Sequence, residues 1–96
     1  MTIKVNVRLL GVFRGFSGKS QITLKLEQPT VRKVIKKLTD SLSVEAKRLL
    51  VDPKLNDPRP NAIILVNGKE IGVLKGLDTE IKEGDEVILI PVTHGG

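Results

Sequence analysis

Cysteine, tryptophan and tyrosine are missing from this 96-residue chain, which holds one histidine and two phenylalanines. Without cysteine there is no disulfide, thiol nucleophile, iron–sulfur cluster or thiolate zinc site. The shortage of aromatic rings removes the surfaces on which bases stack. Direct nucleic-acid binding is therefore not expected, although 16 Lys and Arg against 11 Asp and Glu leave a net charge of +5. That charge is spread along the chain instead of gathered in one block. No apolar run approaches the roughly 20 residues of a membrane helix. The opening MTIKVNVRLL alternates where a signal peptide would be continuously apolar. These features predict a soluble, cytoplasmic protein with no membrane partner. A chain of this length forms one domain and hides about 60–70% of its unfolded surface, enough for one modest core.

What is present begins with two strand-like stretches. Ile3, Val5, Val7 and Leu9 alternate with Lys4, Asn6 and Arg8, and Ile22, Leu24 and Leu26 repeat the period of two. The glycine-rich GVFRGFSGKS between them is expected to be the turn of an N-terminal hairpin. Its Gly18-Lys19-Ser20 resembles a phosphate-binding loop, but the earlier glycine that such a loop needs is replaced by Phe13. A strand pattern also follows, where a phosphate loop needs a helix.

After Pro29 the period changes. Val31, Val34, Ile35, Leu38 and Leu42 recur at helical spacing, Thr30 is a candidate N-cap, and Arg32, Lys33, Lys36 and Lys37 face outward. A second short helix can start at Ser43 and must end before Asp52-Pro53. The proline-rich DPKLNDPRPN reads as a loop. Asn67-Gly68, between AIILV and KEI, is a hairpin signal because both residues tolerate the positive φ of a type I′ turn. A last strand runs from about Glu86 to Pro91. One main helix over a mixed sheet of four to five strands, with a second short helix, gives an α+β roll in which a parallel pairing of first and last strands makes the last one central.

Ile63 to Val66 and Val87 to Ile90 are apolar on both faces, whereas the main helix can cover only one. Either the 51–60 loop or the second helix covers the other face, or that face is an exposed docking patch. Leu89 and Ile90 lie on opposite faces, so one of them belongs to that second surface.

The chain closes on PVTHGG. Glycine loses the most freedom on ordering, so Gly95 and Gly96 predict a loose tail over 92–96 beyond a domain of 1–91. His94 has no second ligand nearby and reads as a solvated tail residue, not a metal site.

ILVNGKEIGVLKGLDTEIKEGDEVILIPVTHGG resembles the C-terminal half of the ubiquitin-like sulfur carriers of the β-grasp fold. These include the molybdopterin synthase small subunit, the thiamine-pathway carrier, the ubiquitin-related modifier and the archaeal small modifiers. The resemblance rests on the VNG hairpin, the LDTEIKEGDEV turn into the last strand and the terminal GG, with the N-terminal hairpin and helix in the same order. The stretch from Ser43 to Asn61 is longer than in thiamine-pathway carriers, and His94 before the glycines is similar to the ubiquitin-related modifier. The resemblance implies a β-grasp roll and a role as cosubstrate, not enzyme. Gly96 would be the site of adenylate, thiocarboxylate or isopeptide formation, and Gly95 would give access to it.

No bound cofactor is implied, since ATP is used by a separate adenylating enzyme. The implied partners are that enzyme, a sulfur donor or sulfurtransferase, and a molybdopterin synthase large subunit or a tRNA thiolation enzyme. Val92, Thr93, His94, Leu89 and Ile90 are the expected contacts. A carboxylate needs such help because its oxygen is a poor leaving group until adenylated. Two other readings compete: an interaction module that never uses its tail, and an RNA-binding β-grasp domain whose affinity would fall steeply with salt.

Overall fold

In the computed structural model, residues 2–27 and 29–92 are described, Phe16 and Ser17 by backbone alone. Alternation of Val5, Val7 and Leu9 with polar neighbours forms β1 (Ile3–Leu9), and β2 (Gln21–Leu26) pairs with it antiparallel from Ile3–Leu26 to Arg8–Gln21. The connection is more than the expected turn. It contains a short helix, α1 (Val12–Ser17), whose Phe13 is buried. The reason is the ring: Phe13 gains more by entering the core than a solvated turn would gain by leaving it outside.

The main helix α2 (Val31–Asp40) starts where Thr30 Oγ1 accepts the Lys33 N–H at 3.3 Å. It buries Val31, Val34, Ile35 and Leu38. Ser43 caps α3 (Val44–Leu50) in the same way, accepting the Ala46 N–H at 3.1 Å. The following loop is tied by its own carboxylates: Asp52 accepts the Lys54 and Leu55 N–H groups, and Asp57 accepts the Arg59 N–H and guanidinium.

The second hairpin joins β3 (Ala62–Val66) to the two-residue β4 (Lys69–Glu70). Asn67 and Gly68 take φ of 50° and 85°, the positive values the turn requires. Asn67 also reaches across the sheet, where its Oδ1 accepts the Glu86 N–H at 3.0 Å and its Nδ2 donates to Asp85 Oδ1 at 3.0 Å. Two 3-10 turns, Ile71–Val73 and Gly76–Asp78, lead to β5 (Glu86–Pro91). The sheet order is β2-β1-β5-β3-β4, with β5 parallel to β1 and antiparallel to β3. This is the ubiquitin-like β-grasp arrangement. Val5, Val7, Leu9, Ile64, Val87 and Leu89 point to the α2 side and are at most 1% exposed.

Candidate functional site

β5 ends at Pro91, so the geometry around that end decides how any chain beyond it leaves the body. Three contacts hold it. Leu10 N–H donates to Leu89 O at 3.2 Å, and Val92 N–H donates to Asn61 O at 3.0 Å. On the α2 side Gly11, at φ 56°, lies so close that a Cβ there would sit 2.8 Å from Pro91 Cγ. Only glycine combines that φ with that approach. The exit point at Val92 is therefore set by backbone packing.

The other face of β5 carries a different surface. Ile90 faces Ile63 across the β3 pairing and Ile88 faces Leu65, so four branched side chains form one strip. Ile63 is 43% exposed, and Leu65, Ile88 and Ile90 are half-buried. Beside it, Arg8 and Glu86 form an ion pair at 3.5 Å. The loop brings Arg59 beside Ile63 in a cleft with Glu70 and Ile71, while its bulk and α3 pack on the helix side. Val51 and Pro58 of the loop line a cleft with Ile35, Lys36 and Thr39 of α2, and α3 buries Leu50 in the core and packs on α1. Of the alternatives left by the sequence, the accessible strip is the one the described residues support.

Leu89 must be corrected as a contact residue: it is fully buried in the core and cannot meet a partner in the folded chain. Ile90 takes the outward position. Val92 is at the exit and partly accessible. Thr93, His94, Gly95 and Gly96 lie outside the described residues. Ile63, Leu65 and Ile88 join Ile90 on the strip. The signal for them was already present in two consecutive apolar strands, but the side on which each residue falls required the register. Gly11 had no sequence signal beyond following two leucines.

Strong electrostatics lie elsewhere. The Arg59 guanidinium hydrogen-bonds Asp57 and holds its carboxyl below the usual carboxylate range, while Asp57 raises Arg59. This pair stiffens the loop before β3. Among the described residues no group of three or more His, Cys, Asp or Glu is placed to hold a metal ion, and no helix is long and apolar enough to cross a membrane. The arrangement offers an accessible apolar strip on one face of the sheet and a fixed position for Val92 at the end of β5.

Comparison with known proteins identifies the family and the fold. A protein of Archaeoglobus fulgidus described as a candidate sulfur carrier is 30% identical over 80 residues, covering 82% of this chain and 88% of that protein. Small archaeal modifier protein 3 of Haloferax volcanii is 28% identical over 95 residues, covering 98% and 100%. The solution structure of small archaeal modifier protein 1 from Methanosarcina acetivorans superposes with a TM-score of 0.81 at 28% identity, covering 100% of this chain and 99% of that one. The model of the ThiS family matches residues 7–96, so this chain belongs to the ThiS family.

Proposed function

We propose that this chain is a sulfur carrier and protein modifier that works as a cosubstrate, with Gly96 as its reacting residue. A partner enzyme supplies ATP; a carboxylate oxygen of Gly96 attacks the α-phosphorus, and pyrophosphate leaves. A persulfide sulfur then attacks the acyl carbon and displaces AMP. Cleavage of the remaining S–S bond by a thiol leaves a C-terminal thiocarboxylate and a disulfide. The same acyl carbon can instead accept a lysine amine, forming an isopeptide bond. A molybdopterin precursor or a tRNA, through its thiolation enzyme, is the proposed sulfur acceptor.

The observation that carries this reading is the end of β5. Val92 is held by Asn61 and Pro91 is packed on Gly11, so the chain leaves a rigid platform beside the Ile63, Leu65, Ile88 and Ile90 strip. From Val92, the residues to Gly96 can extend about 17 Å, far enough for a carboxylate to enter a buried site while the body stays outside. The strip supplies the docking surface that holds the body there, and glycine at both last positions removes the Cβ atoms that would meet the channel walls.

Intact mass of the protein recovered from its own cells tests the reading. A species heavier by the difference between sulfur and oxygen is expected, and branched diglycine peptides would report conjugation. In ATP–pyrophosphate exchange with the activating enzyme, Gly96→Ala should slow the reaction by about tenfold, the effect of slight misplacement of the reacting carbon. Exchange by the Ala variant as fast as by wild type would remove the activated-glycine mechanism.

A further inference from the structure

A second apolar feature touches the same exit point from the opposite side of the sheet. Between α1 and α3 lies a groove of about 260 Å³ that ends on Pro91 and Val92. Its floor is the buried ring of Phe13, and its walls are Val12, 50% exposed, and Leu49, 49% exposed. Arg48 stands on the rim, with no ion pair to a carboxylate among the described residues. Leu50, the neighbour of Leu49, already supplies the buried contact of α3, and Phe13 does so for α1. Val12 and Leu49 leave about half their surface accessible beside Pro91 and Val92, so both can be reached by a partner at this point.

We infer that the α1–α3 groove is a second contact site for the enzyme that holds the tail, receiving one apolar side chain of that enzyme with a carboxylate placed to meet Arg48. This rests on the proposed activation of Gly96. The occupant is argued from position: Pro91 and Val92 line the groove and precede the tail, so a protein that holds the chain close to Val92 comes within side-chain reach of Val12 and Leu49. Size supports the same partner. A groove that admits one leucine- or phenylalanine-sized side chain falls far short of the roughly 1,000 Å² that a stable interface between two copies needs, and is suited to supplementing the contact made by the tail and the outer strip. Two apolar surfaces, one on each side of the exit, would fix the direction in which the tail enters the enzyme as well as its position. The close Gly11–Pro91 contact ties the α1 side of the groove to the end of β5.

The test uses the full chain and the adenylating enzyme from the same genome that supports ATP–pyrophosphate exchange with it. Leu49→Asp and Val12→Asp should each raise the KM for the chain by about tenfold and leave kcat within about twofold, the pattern of lost docking with intact chemistry. Arg48→Glu should raise KM by about threefold, an effect that shrinks in high salt. Leu55→Asp, on the loop and outside the groove, should exchange like wild type. Melting curves accompany each variant, and Leu49→Ser and Val12→Ser replace any Asp variant that does not fold. If wild type exchanges and the groove variants match its KM, the groove inference falls while the tail mechanism stands. If the groove variants instead abolish a dimer seen by sedimentation with KM unchanged, the occupant is a second copy and the inference also falls. If wild type itself never exchanges, the tail reading has failed and takes the groove with it.

Discussion

The two faces of β5 have the same kind of residue and opposite fates. Val87 and Leu89 are fully buried in the core, whereas Ile88 and Ile90, one residue along in each case, remain partly accessible beside Ile63 and Leu65. An apolar side chain on a strand thus does not by itself mean core. What matters is whether another element arrives to cover it, and here every helix went to one side. The inner face is covered within the chain; the outer face leaves apolar surface that a partner could cover.

Aspartate at each position should break that symmetry most clearly. Leu89→Asp forces a carboxylate into an apolar interior without a partner and is expected to cost about 4 kcal/mol or more, close to the whole stability of a small domain. Ile90→Asp should cost about 1 kcal/mol, the scale of an unfavourable strand residue. Its main effect should be a weaker hold on the activating enzyme. Denaturant titration of the pair measures the contrast; equal destabilisation would show that both faces are covered.

A smaller effect sharpens the comparison at the end of the strand. Gly11→Ala adds a Cβ 2.8 Å from Pro91 Cγ in a backbone at φ 56°. Thermal unfolding should record a loss of about 1–3 kcal/mol. Because Pro91 must shift, exchange activity should fall as well, which no change confined to α1 would explain.

The smallest effect is electrostatic and far from β5. Hydrogen bonding by Arg59 lowers the Asp57 pKa in the folded chain, so folding favours the ionised form. Its contribution is fully present above the ordinary carboxylate pKa of about 3.9 and is lost as pH falls through the lowered folded value. With Arg59 half-exposed, the pair should contribute no more than about 1 kcal/mol. The stability difference between wild type and Asp57→Asn, measured by chemical denaturation, should be present at neutral pH and vanish in strong acid. A difference that persisted in acid would mean that Asp57 acts through shape and not charge.

Much of the β-grasp fold could be read from neighbours in the chain. The period of two placed β1 and β2, the continuous apolar run after the KEGD turn placed β5, Thr30 and Ser43 marked the starts of α2 and α3, and Asn67-Gly68 marked the second hairpin. The connection from Gly11 to Ser20 was misread in one respect, because its glycines suggested a turn while Phe13 required a buried place and a helix to carry it there. The candidate site was legible as a pair of two-faced strands leading to a diglycine, but not as a strip, a groove and an exit.

Sequence alone determined the features that depend on residues a few positions apart: caps, turn geometry, alternation and the order of elements, since their energies are local. The tertiary structure decided which of Leu89 and Ile90 is core, where the 51–60 loop and α3 lie, and that Gly11 rests on Pro91. Those outcomes follow from the parallel pairing of β1 with β5, which joins Asn6 to Glu86 and carries Gly11 to the far end of the chain. No local pattern encodes a contact across that separation, because its free energy comes from burial that exists only once the whole sheet and its helices are assembled.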